Sequence, residues 1–580
     1  MKRSPWEIDR VQAPLTIGVT GHRDLRDDDV DQLERKVKHI LGRLRRQYPS
    51  TPLVVLSALA EGADRLVARI ALRSEFGARL VVPLPMPRIL YAMDFEMPGS
   101  LEEFDGLLEK ADCCFEISPC GDYEALLRPG EARDRRYEDV GKYIVSRSQV
   151  LIALWDGVDS GKVGGTSSVV RFQTEGIHDA SEDELQPPEL FPVYHVLTPR
   201  RSHPSPQGEP FRLKEIYPPI FHREGSAASY YATVFRNQDD FNRQVAEGGD
   251  ELSHRAARSK RQILGGLDEA RLSPSEALAL NQYAVADALV VPLQRKMVIT
   301  QIVLHVAVFL WFLFLVIFAD HHFTVLLLCY FLFLGVSYFI MRYARRTKLE
   351  NQTLDYRALA EGCRVRFFWT VAGIAGSVPD NYLAKQRTEL DWTRNGLRGW
   401  EIVPSERSAE TFSSLRERLE FVQHSWIDEQ LKYFAKSARR DHKRLRRGEL
   451  GSKVLLGLAI GVSVAMAVTL AVVFKVRGEL WECSDCEWLG WFMLFIDLLL
   501  AAAALYHHFN ERMAYSEHNK QYRRMESVFG LASERMVESL AEGDEEGIRR
   551  LLLKLGKEAL TENGDWVLLH RERPLELPHP

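Results

Sequence analysis

The stretch "TIGVTGHRDL", Thr16–Leu25, is apolar and β-branched until Gly21, then turns abruptly polar at His22, Arg23 and Asp24. A strand that stops at a glycine and continues into a cation is the pattern of a β-strand emptying into an anion-binding turn. Runs of the same kind recur downstream as "LVVLSAL", "RLVVPLP", "QVLIALWDG" and "LFPVYHVL". Helical patterns separate them, first Val30, Leu33, Val37, Ile40, Leu41 and Leu44, then Leu66, Val67, Ile70 and Ala71. Strands alternating with amphipathic helices predict an α/β doubly wound parallel sheet over residues 1–200. In such a sheet, ligands bind beyond the carboxyl ends of the strands.

Three strand ends therefore become candidates for one ligand site. The first is Thr20, Gly21, His22 and Arg23, where glycine permits close backbone approach and Arg23 can fork onto a phosphate. The second lies in "SALAEGADRL", with Ser57, Glu61, Gly62 and Asp64 leading into a helix N-terminus that can hold an anion on its amides. The third lies in "LWDGVDSGKVGGTSSVV", with Asp156 closing a strand and Gly164, Gly165 and Thr166 opening a helix. Glycine-rich turns follow strands in every α/β fold simply to reverse the chain, so the weight falls on their joint appearance. His22 reads equally as a phosphate donor or a turn cap. "RRYEDVGKYIVSRS" has two readings, a helix that brings Arg136 and Tyr137 to a ligand or, favoured of the two, an ordinary helix with an exposed basic end. No HExxH, Ser-His-Asp or Walker lysine pattern is found, and no catalytic, cofactor or metal residue is assigned.

The chain's 580 residues, 46% of them hydrophobic and 27% charged, are those of a folded, multidomain protein. A formal net charge of −5 gives no broad basic surface, so nucleic acid is not expected as a partner. The start, "MKRSPWEIDRVQAP", lacks the apolar core of a cleavable signal peptide, so the first half is expected in the cytosol. Of seven cysteines, Cys113, Cys114 and Cys120 are expected as reduced thiols. Cys483 and Cys486 fall between two apolar runs, where a disulfide or two free thiols are the alternatives; zinc would need two further ligands.

Four apolar runs occupy the second half, Ile299 to Ala319, Phe323 to Met341, Val454 to Phe474 and Trp488 to Tyr506. Each approaches the ~20 residues a helix needs to cross hydrocarbon. Basic flanks ("QRK", "RYARR", "RRDHKRLRRGELGSK") put both termini on the cytosolic side of an inner (plasma) membrane. The two pairs resemble each other, each between helical arms, with Tyr356-Arg357 and Tyr522-Arg523 in comparable places. Gly457, Gly461 and Ala465 form a small-residue stripe that lets helices approach closely. Asp497, near the middle of the last run, is expected at a pore or interface or hydrogen-bonded to a neighbouring helix. Gln301 and His305, one turn apart, read as interfacial or helix-bonding residues.

"TIGVTGHRDL", "LVVLSALAEGADRLVARIAL" and "ARLVVPLPM" resemble, in order and spacing, the Rossmann-like SLOG superfamily. That resemblance implies a pocket for a nucleotide-derived second messenger lined by Gly21, Arg23, Ser57, Glu61, Gly62, Asp64, Gly165 and Thr166. Hydrolases of the superfamily carry a glutamate three residues after the threonine of PGGxGTxxE, and here that place is Val169, which favours sensing over cleavage. "YRALAEGCRVRFFW", "YLAKQRTELDWTRNGLR" and "WIDEQLKYFAKSARRDHKRL" resemble the two-span SLATT family. This implies a homo-oligomeric membrane effector of prokaryotic, antiphage conflict systems that perturbs or permeabilises the lipid bilayer. The alternatives are a membrane-tethered nucleotide or N-glycosidic hydrolase and a channel or scaffold with a non-binding α/β domain. The expected organisation is a nucleotide-sensing domain at 1–200, an extension or linker at 201–270, two-span modules at 271–400 and 401–545, and a C-terminal helix and tail at 546–580.

Overall fold

The computed structural model describes residues 11–117, 123–159, 161, 163–177, 190–218, 226–382, 390–403, 414–477 and 487–573. Cys120, Cys483 and Cys486, and with the last two the expected disulfide, lie outside the described residues. In the first half, strands β1 (Leu15–Gly21), β2 (Leu53–Leu56), β3 (Arg79–Leu84), β4 (Cys113–Glu116), β5 (Val150–Trp155), β6 (Val193–Leu197) and β7 (Leu213–Ile216) form one sheet. Its order is β4-β3-β2-β1-β5-β6-β7; all pairings are parallel except that of β6 with β7. The chain lays β1 to β4 outward in one direction and then returns to place β5 on the other side of β1. This reversal opens a crevice at the carboxyl ends of β1 and β5.

The five apolar runs are the interior strands, because a strand covered on both faces must be apolar throughout. β1, β2 and β5 are buried along nearly their whole length. The edge strands β4 and β7, four residues each and only partly buried, carry no such run and escape the sequence pattern. Helices α1 (Val30–Gln47), α2 (Ala63–Ala71), α3 (Ser100–Leu108), α4 (Glu131–Arg147) and α5 (Thr166–Glu175) accompany the sheet. α1 buries Leu33, Val37, Ile40, Leu41 and Leu44, the stripe its sequence sets out at helical spacing.

Two helices grip the opposite end of the sheet. In α6 (Ala227–Glu247), Asn242 exchanges hydrogen bonds with the backbone of Ala13 at 2.8 Å each way, and Gln238 Nε2 donates to the Pro14 carbonyl at 2.8 Å. α7 (Gly249–Leu264) and α8 (Pro274–His321) follow. Beyond the first two spans, α11 (Asp391–Trp400) is buried along most of its length, and its Trp400 Nε1 donates to the Gln12 carbonyl at 2.9 Å. Gln149, at the entry to β5, donates to the Asn395 carbonyl at 2.7 Å. One apolar cluster accordingly runs from Ile17 through Phe241, Tyr356 and Trp392 to Phe529 and Val567.

The long helices that remain are α9 (Thr324–Arg346), α10 (Leu349–Val371), α12 (Glu429–Arg477), α13 (Glu487–Arg512), α14 (Tyr515–Glu542) and α15 (Glu545–Arg571). Four described helices are long and apolar enough to cross a membrane, with mean hydropathies of 2.9, 2.2, 2.4 and 2.0. α8 and α12, 48 and 49 residues long, run unbroken from arm to span. α8 begins with a reciprocal capping box between Ser273 and Glu276, followed by Pro274, which needs no amide partner there.

Each pair of spans ends in the same turn. Lys348, between α9 and α10, has φ +48°, and Ala514, between α13 and α14, has φ +50°. In the first, Lys348 N donates to Arg345 O (3.2 Å) and Gln352 N to Lys348 O (2.9 Å). In the second, Ala514 N donates to Glu511 O (3.1 Å) and His518 N to Ala514 O (2.9 Å). The interval between the two turns equals that between Tyr356-Arg357 and Tyr522-Arg523, so the internal similarity has a backbone counterpart. A non-glycine residue in the left-handed region costs ~1–2 kcal/mol. Its recurrence after each pair of long apolar helices marks both turns as built features.

Candidate functional site

The three predicted strand ends meet at the β1–β5 crevice. Gly21 leaves room for two neighbours: a Cβ there would lie 2.3 Å from Ala63 Cβ and 2.7 Å from the Leu154 carbonyl oxygen. Gly62, at φ +76°, is required on two counts, since a Cβ would fall 2.4 Å from the Arg23 carbonyl oxygen and 2.6 Å from that of His22. The amide of Ala63 then donates to His22 O at 3.1 Å, tying the start of α2 to the end of β1. Thr166 Oγ1 donates to the Gly21 carbonyl at 3.0 Å, and Gly164, φ +69°, sits against the α4 backbone at Asp134 and Glu138. Gly165 is the N-cap of α5. Thr20 is buried in the strand, paired with Ala153.

Arg23 is solvent-exposed, although Tyr91, Tyr137 and Asp94 crowd it. Its guanidinium lies 5.0 Å from the centre of the Tyr137 ring. Burial opposes its charge most, but the two phenols and Asp94 hold it protonated above the usual range. The Tyr137 hydroxyl donates to Asp94, which also takes Arg133 Nη2 at 2.5 Å. Tyr137 thus belongs to the site, whereas Arg136 is tied to the Pro85 carbonyl at 2.7 Å.

Asp64 is buried beside Arg23 and Arg65, and burial pushes its carboxyl up to about 7 against the hydrogen bond from Ser57 Oγ at 3.2 Å. Ser57 Oγ also accepts the Leu59 amide at 3.1 Å. Glu61 has a different duty. Its carboxylate accepts the amides of Glu96 and Met97 at 2.9–3.1 Å and pins that turn. Burial opposes ionisation of Glu61, but Ser100 and those amides hold its pKa below the usual value.

A fourth strand end, invisible as such in "PRRSHPSPQGEPF", completes the crevice. The turn after β6 brings Arg200, Ser202 and His203 onto the ends of β1 and β5. Asp24 accepts Arg200 Nε at 3.1 Å and Ser202 Oγ at 2.7 Å. The nearly buried Asp156 carboxylate stands between two imidazoles, 3.0 Å from His22 Nε2 and 3.1 Å from His203 Nδ1. The Asp156 backbone amide donates to His22 Nε2 at 3.0 Å, and His22 Nδ1 lies 3.3 Å from Arg200 Nη1. Burial keeps His22 neutral by lowering its pKa. Burial would raise that of Asp156, yet the Val158 amide and the two histidines hold it low. The signal for this turn was a basic, hydroxyl-bearing segment directly after a strand.

Val169, at the place of the superfamily's glutamate, is buried in a cluster with Val145 and Leu151, its Cγ2 2.9 Å from where a Cβ on Gly141 would stand. That place has no room for a solvated carboxylate. In the helical half, Gly457 and Gly461 have nothing within 4 Å of where a Cβ would stand, and Asp497 is exposed on its helix. Neither the stripe nor the carboxylate is therefore covered by the described residues of its own protomer. His305 Nδ1 is 2.8 Å from the Gln301 carbonyl, and its ring lies 5.6 Å from that of His508. Among the described residues, no group of three or more His, Cys, Asp or Glu could hold a metal ion.

α4 connects the crevice to the helical half. Tyr137 lies in its first half; toward its end, the Tyr143 hydroxyl donates to the Ile402 carbonyl at 2.6 Å and Arg147 Nη1 reaches Ser377 Oγ at 3.4 Å. Ser377 in turn donates to Glu401 at 3.0 Å. Compared with known proteins, the chain matches no protein-family model and no curated sequence.

Proposed function

We propose that the chain is a nucleotide-responsive membrane effector of a prokaryotic antiphage system, in which a ligand at the β1–β5 crevice alters the packing of four-span oligomers and opens the inner membrane. The observation that carries this reading is α4, a single helix on which Tyr137 stacks against Arg23 and, six and ten residues later, Tyr143 and Arg147 bond to Ile402 and Ser377 of the helical half. A ligand anion drawn to Arg23 competes with its stacking on Tyr137, and α4 carries the displacement ~9–15 Å along its axis to Tyr143 and Arg147. The ligand must favour one arrangement over the other for this to shift the population.

The membrane half supports an oligomer. A carboxylate exposed at the middle of an apolar helix is expensive in lipid, so Asp497 calls for a polar partner, a second protomer or a water-filled path. Gly457 and Gly461 leave the adjoining helix open to close approach. Sensing without cleavage is supported by Val169 in the hydrophobic cluster.

The test is mass spectrometry of small molecules that copurify with the full chain, followed by dye release from vesicles holding the protein when the recovered compound is added. Arg23→Ala should lose both binding and release, and Asp497→Leu release alone. A chain that retains no nucleotide-derived molecule, or an Arg23→Ala protein that still responds, refutes the reading. A second reading, hydrolysis of the bound nucleotide, is favoured by one feature: His203 is oriented through Nδ1 by a nearly buried carboxylate, the arrangement of a general base. Chromatography separates the two, since a sensor returns its ligand unchanged.

A further inference from the structure

A second polar cleft lies away from the strand ends, where α6, the start of α10, α11 and the end of α15 converge. Its cavity of about 270 Å3 is smaller than the ~300–1,000 Å3 of sites for drug-sized ligands, so its occupant is a small group. Its inner wall includes the aromatic faces of Tyr356 and Trp392, packed edge to face at 5.9 Å, with Tyr230 also lining it.

Tyr356 is the lining residue that bears on ligand binding. Tyr356 is 1% exposed, and its hydroxyl has no hydrogen-bond partner among the described residues. A buried hydroxyl left without a partner costs ~1–3 kcal/mol, which a ligand atom in the cleft would recover. Burial and the nearby Asp355 and Asp240 carboxylates raise its pKa, so it acts as a donor. Asp355 is already engaged, accepting Trp392 Nε1 at 2.6 Å and pairing with Arg571. Asp240 pairs with Arg243 at 2.6 Å, and Lys348 Nζ donates to Asn237 at 3.1 Å.

Charge and position narrow the occupant. Lys348 and Arg571 balance Asp240 and Asp355 on the lining, unlike the cluster of several Lys or Arg that selects an anionic headgroup. Aromatic faces beside a carboxylate suit an ammonium. Lys348, the left-handed residue at the turn, stands seven residues, ~10 Å along the helix, after Met341 at the end of the second apolar run. We propose that this cleft binds a zwitterionic aminoalkyl phosphate, with the Tyr356 hydroxyl and Lys348 on the phosphate and Asp240, Trp392 and Tyr230 around the ammonium. Occupancy ties α6, which grips the sheet, to the turn at the exit of the second span. It depends on neither the ligand of the β1–β5 crevice nor the outcome there.

Native mass spectrometry of the full chain in detergent tests it, with dioctanoyl phosphatidylethanolamine, dioctanoyl phosphatidylglycerol and soluble glycerophosphoethanolamine as probes. The ethanolamine lipid should be retained in preference to the glycerol lipid. Tyr356→Phe should weaken its retention about tenfold, the loss of one hydrogen bond to a charged group, with unchanged thermal melting in lipid-free detergent. Lys348→Ala should do the same. Glycerophosphoethanolamine binding as tightly as the lipid supports the chemistry and assigns a soluble source; weaker binding assigns the bilayer. Equal retention of the two lipids, or wild-type retention by Tyr356→Phe, overturns the proposal.

Discussion

Replacing Asp64 by asparagine tests whether the crevice is built around a buried carboxyl that resists ionisation. Its pKa is about 7 in the fold against 3.8 for the exposed group, a difference of ~3 units, so the ionised form is disfavoured by ~4 kcal/mol at high pH. Because the folded value is raised, the stabilising balance is fully present below the unfolded pKa and is lost as pH rises through about 7. Between pH 5.5 and 8.5, the loss assigned to Asp64 is ~2 kcal/mol, about 30-fold in local opening. Hydrogen exchange at the start of α2, where Ala63 N donates to His22 O and Leu66 N to Gly62 O, reports it once corrected for intrinsic rates. Asp24, Glu61 and Asp156 have depressed values, and their contributions are complete by pH 5.5. His22, held neutral, pulls the opposite way below its ordinary 6.5, so the decisive quantity is the difference between wild type and Asp64→Asn, in which His22 cancels. A variant that loses protection with pH as steeply as wild type would refute the assignment of the slope to Asp64.

Three further outcomes follow from the geometry. Gly62→Ala places a methyl against two carbonyl oxygens at a positive φ and should cost ~2–5 kcal/mol locally, read as lost exchange protection of the Ala63 amide; wild-type protection would contradict the close approach. Val169→Glu should not create a hydrolase; it buries a carboxylate in an apolar cluster and should lower the unfolding free energy by on the order of 3–5 kcal/mol, read as a lower denaturation midpoint. Tyr143→Phe removes the bond to the Ile402 carbonyl, ~1 kcal/mol, and should leave affinity for the copurifying ligand intact while reducing dye release; unchanged release would remove α4 from the coupling path.

The interior strands, the helix faces and the four apolar helices were legible in the chain because each writes its burial into a local period. The edge strands β4 and β7 were not, since a half-exposed four-residue strand needs no apolar run. Within the crevice, Gly21, Arg23, Gly62, Gly164 and Thr166 were readable as strand-end chemistry, and the structure brings them together. Arg200 and His203 were not readable as partners, because what joins them to Asp24, His22 and Asp156 is sheet order, with β5 and β6 laid on the far side of β1. Glu61 shows the converse: a carboxylate in the right motif whose oxygens accept the amides of a turn more than thirty residues away.

The sequence by itself determined where the chain is α/β and where it has helices fit to span a membrane, because hydrophobic period and run length are local properties. Only the tertiary structure decided that the segments flanking the membrane helices grip the base of the sheet, that α4 joins the crevice to them, and that Tyr356 faces a cleft without a partner. These relations pair residues hundreds of positions apart, and no local pattern carries them. The stretch from Thr16 to Leu25 announces a site; the reversal of strand order between β1 and β5 supplies the rest of it.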